Sequence, residues 1–358
     1  MMYFDIGPKE KRKDMYNFKK EYQEFKSALF SHNKLIVLRG LRRTGKTTFM
    51  NVAYNELKAP KIYIDAREIG IFTQKAVYIY FSKIISDFIR QKNMLKKAFN
   101  LIESIDLGVR IGLNKEKPLL SMLLKEIDRD MGKNKKIFYI FIDEAQFLKS
   151  AKFDVFLAFI YDKLPNVKIV LAGSEIGLLD EFIGESSDSP LYGRAKKIIP
   201  TRRLKRNESI EFLNKGFLQA KKNKTKKEIE KIVDNLDGII GWLSLYGFYS
   251  ISNEQNPLLK VKKEGAKIVC SEINRFLSLR EVARESYVYI LLALSTNPLP
   301  WGEIKRYIII KEKRDVPDSR LFNYLESLEK YGFIEKYEKK YHITDPLIKE
   351  AIKLLTPR

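Results

Sequence analysis

The sequence predicts an α/β protein whose mainly parallel sheet is followed by a small helical region and a C-terminal winged helix-turn-helix. Three observations carry that prediction. Short apolar runs at 35–38, 62–64, 137–142, 167–172 and 197–199 alternate with stretches of helical periodicity, as in sheets wound with crossover helices. Between the first run and a helix start lies Gly40-Leu41-Arg42-Arg43-Thr44-Gly45-Lys46-Thr47, which fits the phosphate-binding pattern G-x-x-x-x-G-K-[ST] at every fixed position. Beyond Pro200 the strand-like runs disappear, and they return only as a hairpin pattern close to the C-terminus.

In chain order, Lys34–Arg39 reads as a buried strand and Thr48–Ala53 as the first turns of a helix. Gly40 and Gly45 let the intervening backbone turn so that successive N–H groups, from Arg42, Arg43 and Thr44 to Thr48, face a phosphate chain. The helix beginning near Lys46 adds its partial positive end. Lys46 is placed to reach the outer phosphates and the Thr47 hydroxyl to hold Mg²⁺. Helices are expected at 76–90 and 153–164, with an excursion around Gly108–Lys117 and a helix at Leu119–Met131. Asn207–Lys222 and Lys226–Leu236 are amphipathic, and a glycine-marked break at Asp237–Leu243 opens a further helix. Helices at Tyr287–Ser295, Trp301–Ile309 and Asp318–Tyr331 precede a hairpin, 333–337 with 340–344, and a closing helix to Leu355. Asp318 or Ser319 is the expected N-cap of the third of these, and Gly332 its stop. The organisation implied is a core at 1–200, a helical lid at 201–280 and a winged helix at 281–358.

Composition narrows the function. With 45% hydrophobic and 31% charged residues the chain is globular. No apolar run approaches the ~18–20 residues needed to span a bilayer. The N-terminus lacks the basic-then-apolar order of a signal peptide, so a cytoplasmic protein with no membrane partner is expected. Cys270 is the single cysteine, and His32 and His342 are the only histidines, which excludes an internal disulfide and a Cys- or His-rich metal centre. The net charge is +22, and residues 202–227 hold ten Lys/Arg against Glu208 and Glu211. Two readings of that excess stay open, a polyanion-binding face and the solvated surface of a thermophile-like composition.

Further residues carry chemistry. An apolar strand, Ile137–Ile142, delivers Asp143 and Glu144 at its C-terminal end, where open α/β sheets bind ligands. Asp143 would hold Mg²⁺ through its water shell, and Glu144 would polarise an attacking water. The run at 62–64, intervening in sequence, suggests that the two motifs do not lie on adjacent strands, the additional-strand arrangement. Gly173-Ser174 ends the next strand, making Ser174 either a γ-phosphate sensor or the cap of the following helix. Arg194, in the turn-like Ser189–Arg194, reads either as an arginine that neutralises γ-phosphate charge, in cis or from a neighbour, or as an ordinary surface arginine.

The phosphate loop, Ile142-Asp143-Glu144-Ala145-Gln146, Gly173-Ser174 and Ser189–Arg194 occur in that order before a helical region and a winged helix. With this arrangement the chain resembles the archaeal ATPase family of the STAND branch of P-loop NTPases, relatives of AAA+ proteins, over almost its whole length. The resemblance implies a P-loop NTPase core, ATP/ADP and Mg²⁺ as cofactors, Lys46 and Thr47 as phosphate and metal ligands, Asp143 and Glu144 as metal and water carboxylates, Ser174 as the first sensor and Arg194 as the γ-phosphate arginine. It also implies that Phe4–Pro8 packs near the adenine. Two positions depart from the family. Phe18 and Lys19 stand where an Arg-Glu pair is usual, and Gly238-Ile239-Ile240 lacks the proline of a Gly-x-Pro contact. Binding is expected to survive these departures, with switching or turnover weakened. No guanine-reading Asn-Lys-x-Asp motif is present. The expected function is a Mg-dependent ATP-hydrolysing switch with a protein partner or self-association as output. The alternatives are a DNA-binding ATPase using the winged helix and basic lid, and a nucleotide-binding scaffold with negligible turnover.

Overall fold

The structure is a computed structural model, and it describes residues 3–91, 116–185 and 189–355. Five strands, β1 (Leu35–Arg39), β2 (Lys61–Asp65), β3 (Phe138–Asp143), β4 (Val167–Gly173) and β5 (Lys197–Pro200), form one parallel sheet in the order β2-β3-β4-β1-β5. The phosphate-loop strand β1 and the acidic strand β3 are therefore not adjacent. The strand between them in space is β4, whereas β2, the run at 62–64, lies at the edge. The pattern of β2 agrees with that position, because alternate residues are buried while β3 and β4 are buried throughout. The predicted excursion at Gly108–Lys117 lies largely outside the described residues.

Successive side chains of a strand point to opposite faces, and both faces here are covered. Leu35 and Val37 of β1 join a core with Phe138, Ile140, Val167 and Ile169 under the helices α3 (Gln74–Gln91), α4 (Glu116–Lys133) and α5 (Phe153–Lys163). Ile36 and Leu38 face the other way, toward α1 (Lys19–Phe30) and α2 (Lys46–Glu56). A short helix, α6 (Ile176–Phe182), follows β4.

Four helices follow the sheet: α7 (Arg206–Gln219), α8 (Lys226–Leu236), α9 (Ile240–Ile251) and the long α10 (Pro257–Ser278). Thr225 and Glu228 form a reciprocal capping box at the start of α8. The winged helix comprises α11 (Arg284–Leu294), β6 (Leu299–Pro300), α12 (Trp301–Glu312), α13 (Asp318–Lys330), and the hairpin β7 (Ile334–Tyr337) and β8 (Lys340–Ile343), with sheet order β6-β8-β7. Glu338 and Lys339 at the hairpin tip both take positive φ, the two-residue turn whose twist suits a tight hairpin. Gly332, at φ +72°, stops α13 as expected. The expected cap does not form: Pro317 precedes α13 without a side-chain bond, and the Asp318 carboxylate is drawn instead to Lys305.

The apolar core on the α1/α2 face runs without a break through the lid into the winged helix. The last helix, α14 (Ile348–Leu355), packs along α10, close enough that a Cβ on Gly265 would lie 2.3 Å from Leu347. The end of α13 rests on the sheet region, where a Cβ on Gly177 would lie 2.5 Å from the Lys330 Cα. No helix among the described residues is long and apolar enough to cross a membrane.

Candidate nucleotide site

Parallel register brings the C-terminal ends of the strands to one edge: Asp65 pairs with Asp143, and Arg39 with both Gly173 and Pro200. At that edge lies a cavity of about 470 Å³. The phosphate loop and Glu144 form its floor, residues 5–9 and 14–18 one wall, and Ile240, Gly241 and Ser244 of α9 with Glu272 and Arg275 of α10 the other. Pro8 and Thr48 both line it, and the Lys9 amide donates to the Thr48 hydroxyl at 3.2 Å.

The loop is held in shape from behind. Arg43 and Gly45 take positive φ, +63° and +96°, which turns successive N–H groups toward one concavity. Gly40 is required by proximity, since a Cβ there would lie 2.1 Å from the Thr201 hydroxyl. The Thr44 side chain faces away from the cavity, bonding Leu41 O and the Thr201 hydroxyl at 2.7 Å, so only its backbone is available to a ligand. Lys46 donates to Gly40 O and Leu41 O at 2.8 and 2.6 Å. Burial pushes its amine down to about 8, against the opposing pull of Glu144 and Asp143.

On the carboxylate side, Thr47 Oγ1 donates to Asp143 Oδ2 at 2.8 Å. Burial, then the charge of Glu144, pushes the Asp143 carboxyl above its ordinary range despite that bond. One hydroxyl beside one buried carboxylate fits Mg²⁺, which keeps waters and phosphate oxygens as its other ligands. The described residues contain no cluster of three or more His, Cys, Asp or Glu arranged for a metal. A strained backbone, φ +50°, aims Glu144 into the cavity, where its Oε2 accepts from Ser174 Oγ at 2.8 Å and Gln146 Nε2 at 2.7 Å. The Ser174 hydroxyl thus orients Glu144 and does not cap α6, whose cap residue is Glu175.

Arg42 and Arg43 do not point at the phosphate position. Arg42 pairs with Glu175 at 2.6 Å and with Glu272 at 3.6 Å, and it donates to Tyr331 O at the end of α13. Arg43 pairs with Glu272 at 2.7 Å, lies 3.5 Å from Asp345 beyond β8, and stacks over Trp242 at 4.3 Å. Asp345 also accepts from the Trp242 indole at 2.9 Å, and burial raises its carboxyl above the usual range. Both arginines of the loop therefore clasp the lid and the winged helix.

Arg194 stands apart. It precedes β5, at the opposite edge of the sheet from the cavity, and is bound to Asp162 at 2.6 Å. A contribution in cis is excluded by that placement. Phe18, at the position of the missing Arg-Glu pair, lines the cavity and packs edge-on against Phe49. Ile240, where a proline was lacking, also lines it. Sequence reasoning missed Glu175, Trp242, Glu272, Arg275 and Asp345, which are far apart in the chain and form no local pattern. It also missed Arg67, although its place just after a strand end was a usable signal.

Residues 16–245 match a family described as an ATPase domain predominantly from Archaea. Residues 281–344 match the C-terminal winged helix-turn-helix domain of MCM proteins. Among solved structures, a Walker-type ATPase of Pyrococcus abyssi is similar with TM-score 0.79 and 29% identity, covering 98% of this chain and 100% of that one. The ORC2 protein of Aeropyrum pernix in its ADP form shares the fold at TM-score 0.51 and 13% identity, covering 99% and 97%. The chain matches none of the curated proteins.

Proposed function

We propose, from the premise that this chain belongs to the family of ATPase domains found predominantly in Archaea, that it binds ATP with Mg²⁺ in this cavity, hydrolyses ATP, and uses the nucleotide state to set the arrangement of its lid and winged helix. Lys46 and the loop amides take the phosphates, Thr47 and Asp143 the metal, and Pro8 with its neighbours the base. Bound Mg²⁺ neutralises charge on the phosphates. Glu144, aligned by Ser174 and Gln146, accepts the proton of the attacking water. We place the boundaries of core, lid and winged helix near residues 200 and 280.

The observation that carries the switch reading is the double clasp of Arg42 and Arg43. Two neighbouring residues of the phosphate loop hold Glu272 of the lid, and one of them, Arg43, also reaches Asp345 of the winged helix. A shift of that loop on gaining or losing a γ-phosphate is felt directly by both outer regions. The test combines Mg-ATP turnover, abolished by Glu144→Gln, with label-to-label distances between residues 58 and 339. Equal distances with ADP and with a non-hydrolysable ATP analogue would refute the switch.

A second reading, contact with a DNA backbone, is favoured by the wing, where Lys336, Lys339 and Lys340 are exposed. Against it, the end of α13 is docked on the sheet region through Lys330 and Tyr331. Salt-dependent binding of a labelled duplex, lost on Lys339→Glu with Lys340→Glu, would establish this second reading.

A further inference from the structure

The hydrolytic reading leaves a charge unassigned. A γ-phosphate in transfer is stabilised by a cation beyond Lys46 and the metal, and an arginine is the usual supplier. Arg194 is across the sheet, and Arg42 and Arg43 are committed to Glu175, Glu272 and Asp345. Two other guanidinium groups line the cavity, Arg67 and Arg275. Arg275 lies on the lid side, stacked over Phe147 at 5.2 Å and turned to Glu175.

Arg67 is placed differently. It sits in the short 3-10 turn Ala66–Ile69 directly after β2, whose last residue, Asp65, is in register with Asp143. Its side chain lines the same cavity as Glu144, Lys46 and Thr47, on the strand edge where Asp143 lies. Its present partner is Asp65, with N–O distances of 2.9 and 3.1 Å from Nε. The Arg67 side chain is 57% exposed, so solvent screens the pair on the arginine's side, while Asp65 is 21% exposed. The exchange trades one fork of charged acceptors for another, the phosphoryl oxygens. Asp65 would not be stranded by the exchange, because its carboxylate also accepts the Arg67 backbone N–H at 3.0 Å and so keeps the turn capped.

We propose that Arg67 is the γ-phosphate arginine of this chain, acting in cis by swinging from Asp65 onto the terminal phosphate as charge builds there. The proposal rests on the ATPase reading and replaces Arg194 in that role. No covalent bond to Arg67 forms or breaks; its contribution is charge and hydrogen-bond donors held where the phosphoryl oxygens gain charge.

The test uses the full chain with Arg67→Ala, Arg67→Lys and, in parallel, Lys46→Ala. The readouts are the affinities for Mg-ADP and for Mg-ADP with fluoroaluminate, and the Mg-ATP turnover. Arg67→Ala is expected to leave ADP affinity within about twofold and to weaken the fluoroaluminate complex and turnover by roughly 10²- to 10³-fold. Arg67→Lys recovers part of each, since an ammonium keeps the charge but not the fork. Equal weakening of both complexes would mean that Arg67 only supports the turn, and would overturn the proposal. An unchanged fluoroaluminate affinity in Arg67→Ala, with Lys46→Ala defective, would overturn it while leaving the nucleotide site standing. Nucleotide affinity untouched by Lys46→Ala would remove the site reading and this proposal with it.

Discussion

Phe4 offers the sharpest test of how the cavity wall is built. Its ring is fully buried, edge-on to Phe212 at 5.8 Å and to Phe217 at 5.0 Å, and it lies between two glycines of the lid. A Cβ on Gly216 would lie 2.2 Å from the ring, and one on Gly247 2.1 Å from it. Removing the ring with Phe4→Ala should cost ~3–5 kcal/mol if the void persists. In the native background Gly216→Ala overpacks the ring, costing ~1–3 kcal/mol, offset by ~1 kcal/mol of helix propensity in α7. In the Phe4→Ala background the same methyl fills part of the void and keeps the propensity gain. Its effect then changes sign, to a stabilisation of ~1 kcal/mol or more, and the two sites couple by about 2–3 kcal/mol. Urea unfolding of the four proteins measures the cycle. Because Phe4 is followed directly by wall residues 5–9, Phe4→Ala should also weaken nucleotide binding, about tenfold for each 1.4 kcal/mol of local order lost. A Gly216→Ala effect of the same sign and size in both backgrounds would refute the stapling argument.

Three further outcomes follow from particular contacts. Glu272→Gln removes the partner shared by both loop arginines, and the half-buried guanidinium groups then lose ~1–3 kcal/mol of charged hydrogen bonding; the check is a lowered unfolding midpoint together with a larger lid-to-wing distance in the ADP state. Arg194→Ala breaks a solvent-screened pair with Asp162 and a bond to Pro190 O within its own turn, so stability should change by about 1 kcal/mol and nucleotide affinity of the dilute protein not at all; isothermal titration that found a loss would contradict its placement. Acid should act through Glu208 and Glu228, both held down to about 2, the first by Arg202 and the second by the Thr225 amide and Lys224. Both carboxyls are depressed in the folded chain, so their stabilisation is complete above about pH 4.5 and is lost as pH falls toward 2. Melting curves across that range should flatten in Glu208→Gln with Glu228→Gln.

The fold was legible because its signals are local. β3 and β4 announce themselves as unbroken apolar runs, the glycines of the loop by spacing, and the winged helix by Gly332 and the charged hairpin tip. The edge position of β2 was not, since strand order is set by which crossover packs where and leaves only the faint alternation of Lys61–Asp65 in the sequence. In the site, Lys46, Thr47, Asp143 and Glu144 were readable because their chemistry demands fixed spacing. Arg42 and Arg43 were readable as loop members but not as clasps, because Glu272 and Asp345 approach from segments more than two hundred residues away.

That division has a physical consequence for how the phosphate loop works. A loop whose variable positions were small residues would bind phosphate and report nothing. Here two of the four variable positions, Arg42 and Arg43, are long cations, and Arg43 takes a positive φ while its side chain reaches Trp242 and Glu272. The same backbone turn therefore makes the anion-binding concavity and aims the lever at Trp242, Glu272 and Asp345. Three acidic groups, Glu175, Glu272 and Asp345, surround the two arginines, and burial raises two of them, Glu175 and Asp345, above their ordinary range. The clasp is thus a crowded, partly desolvated charge cluster. In the proposed switch, coupling between nucleotide and winged helix would need no relay through the core, because the loop that would cradle the phosphates itself holds Asp345 and Tyr331.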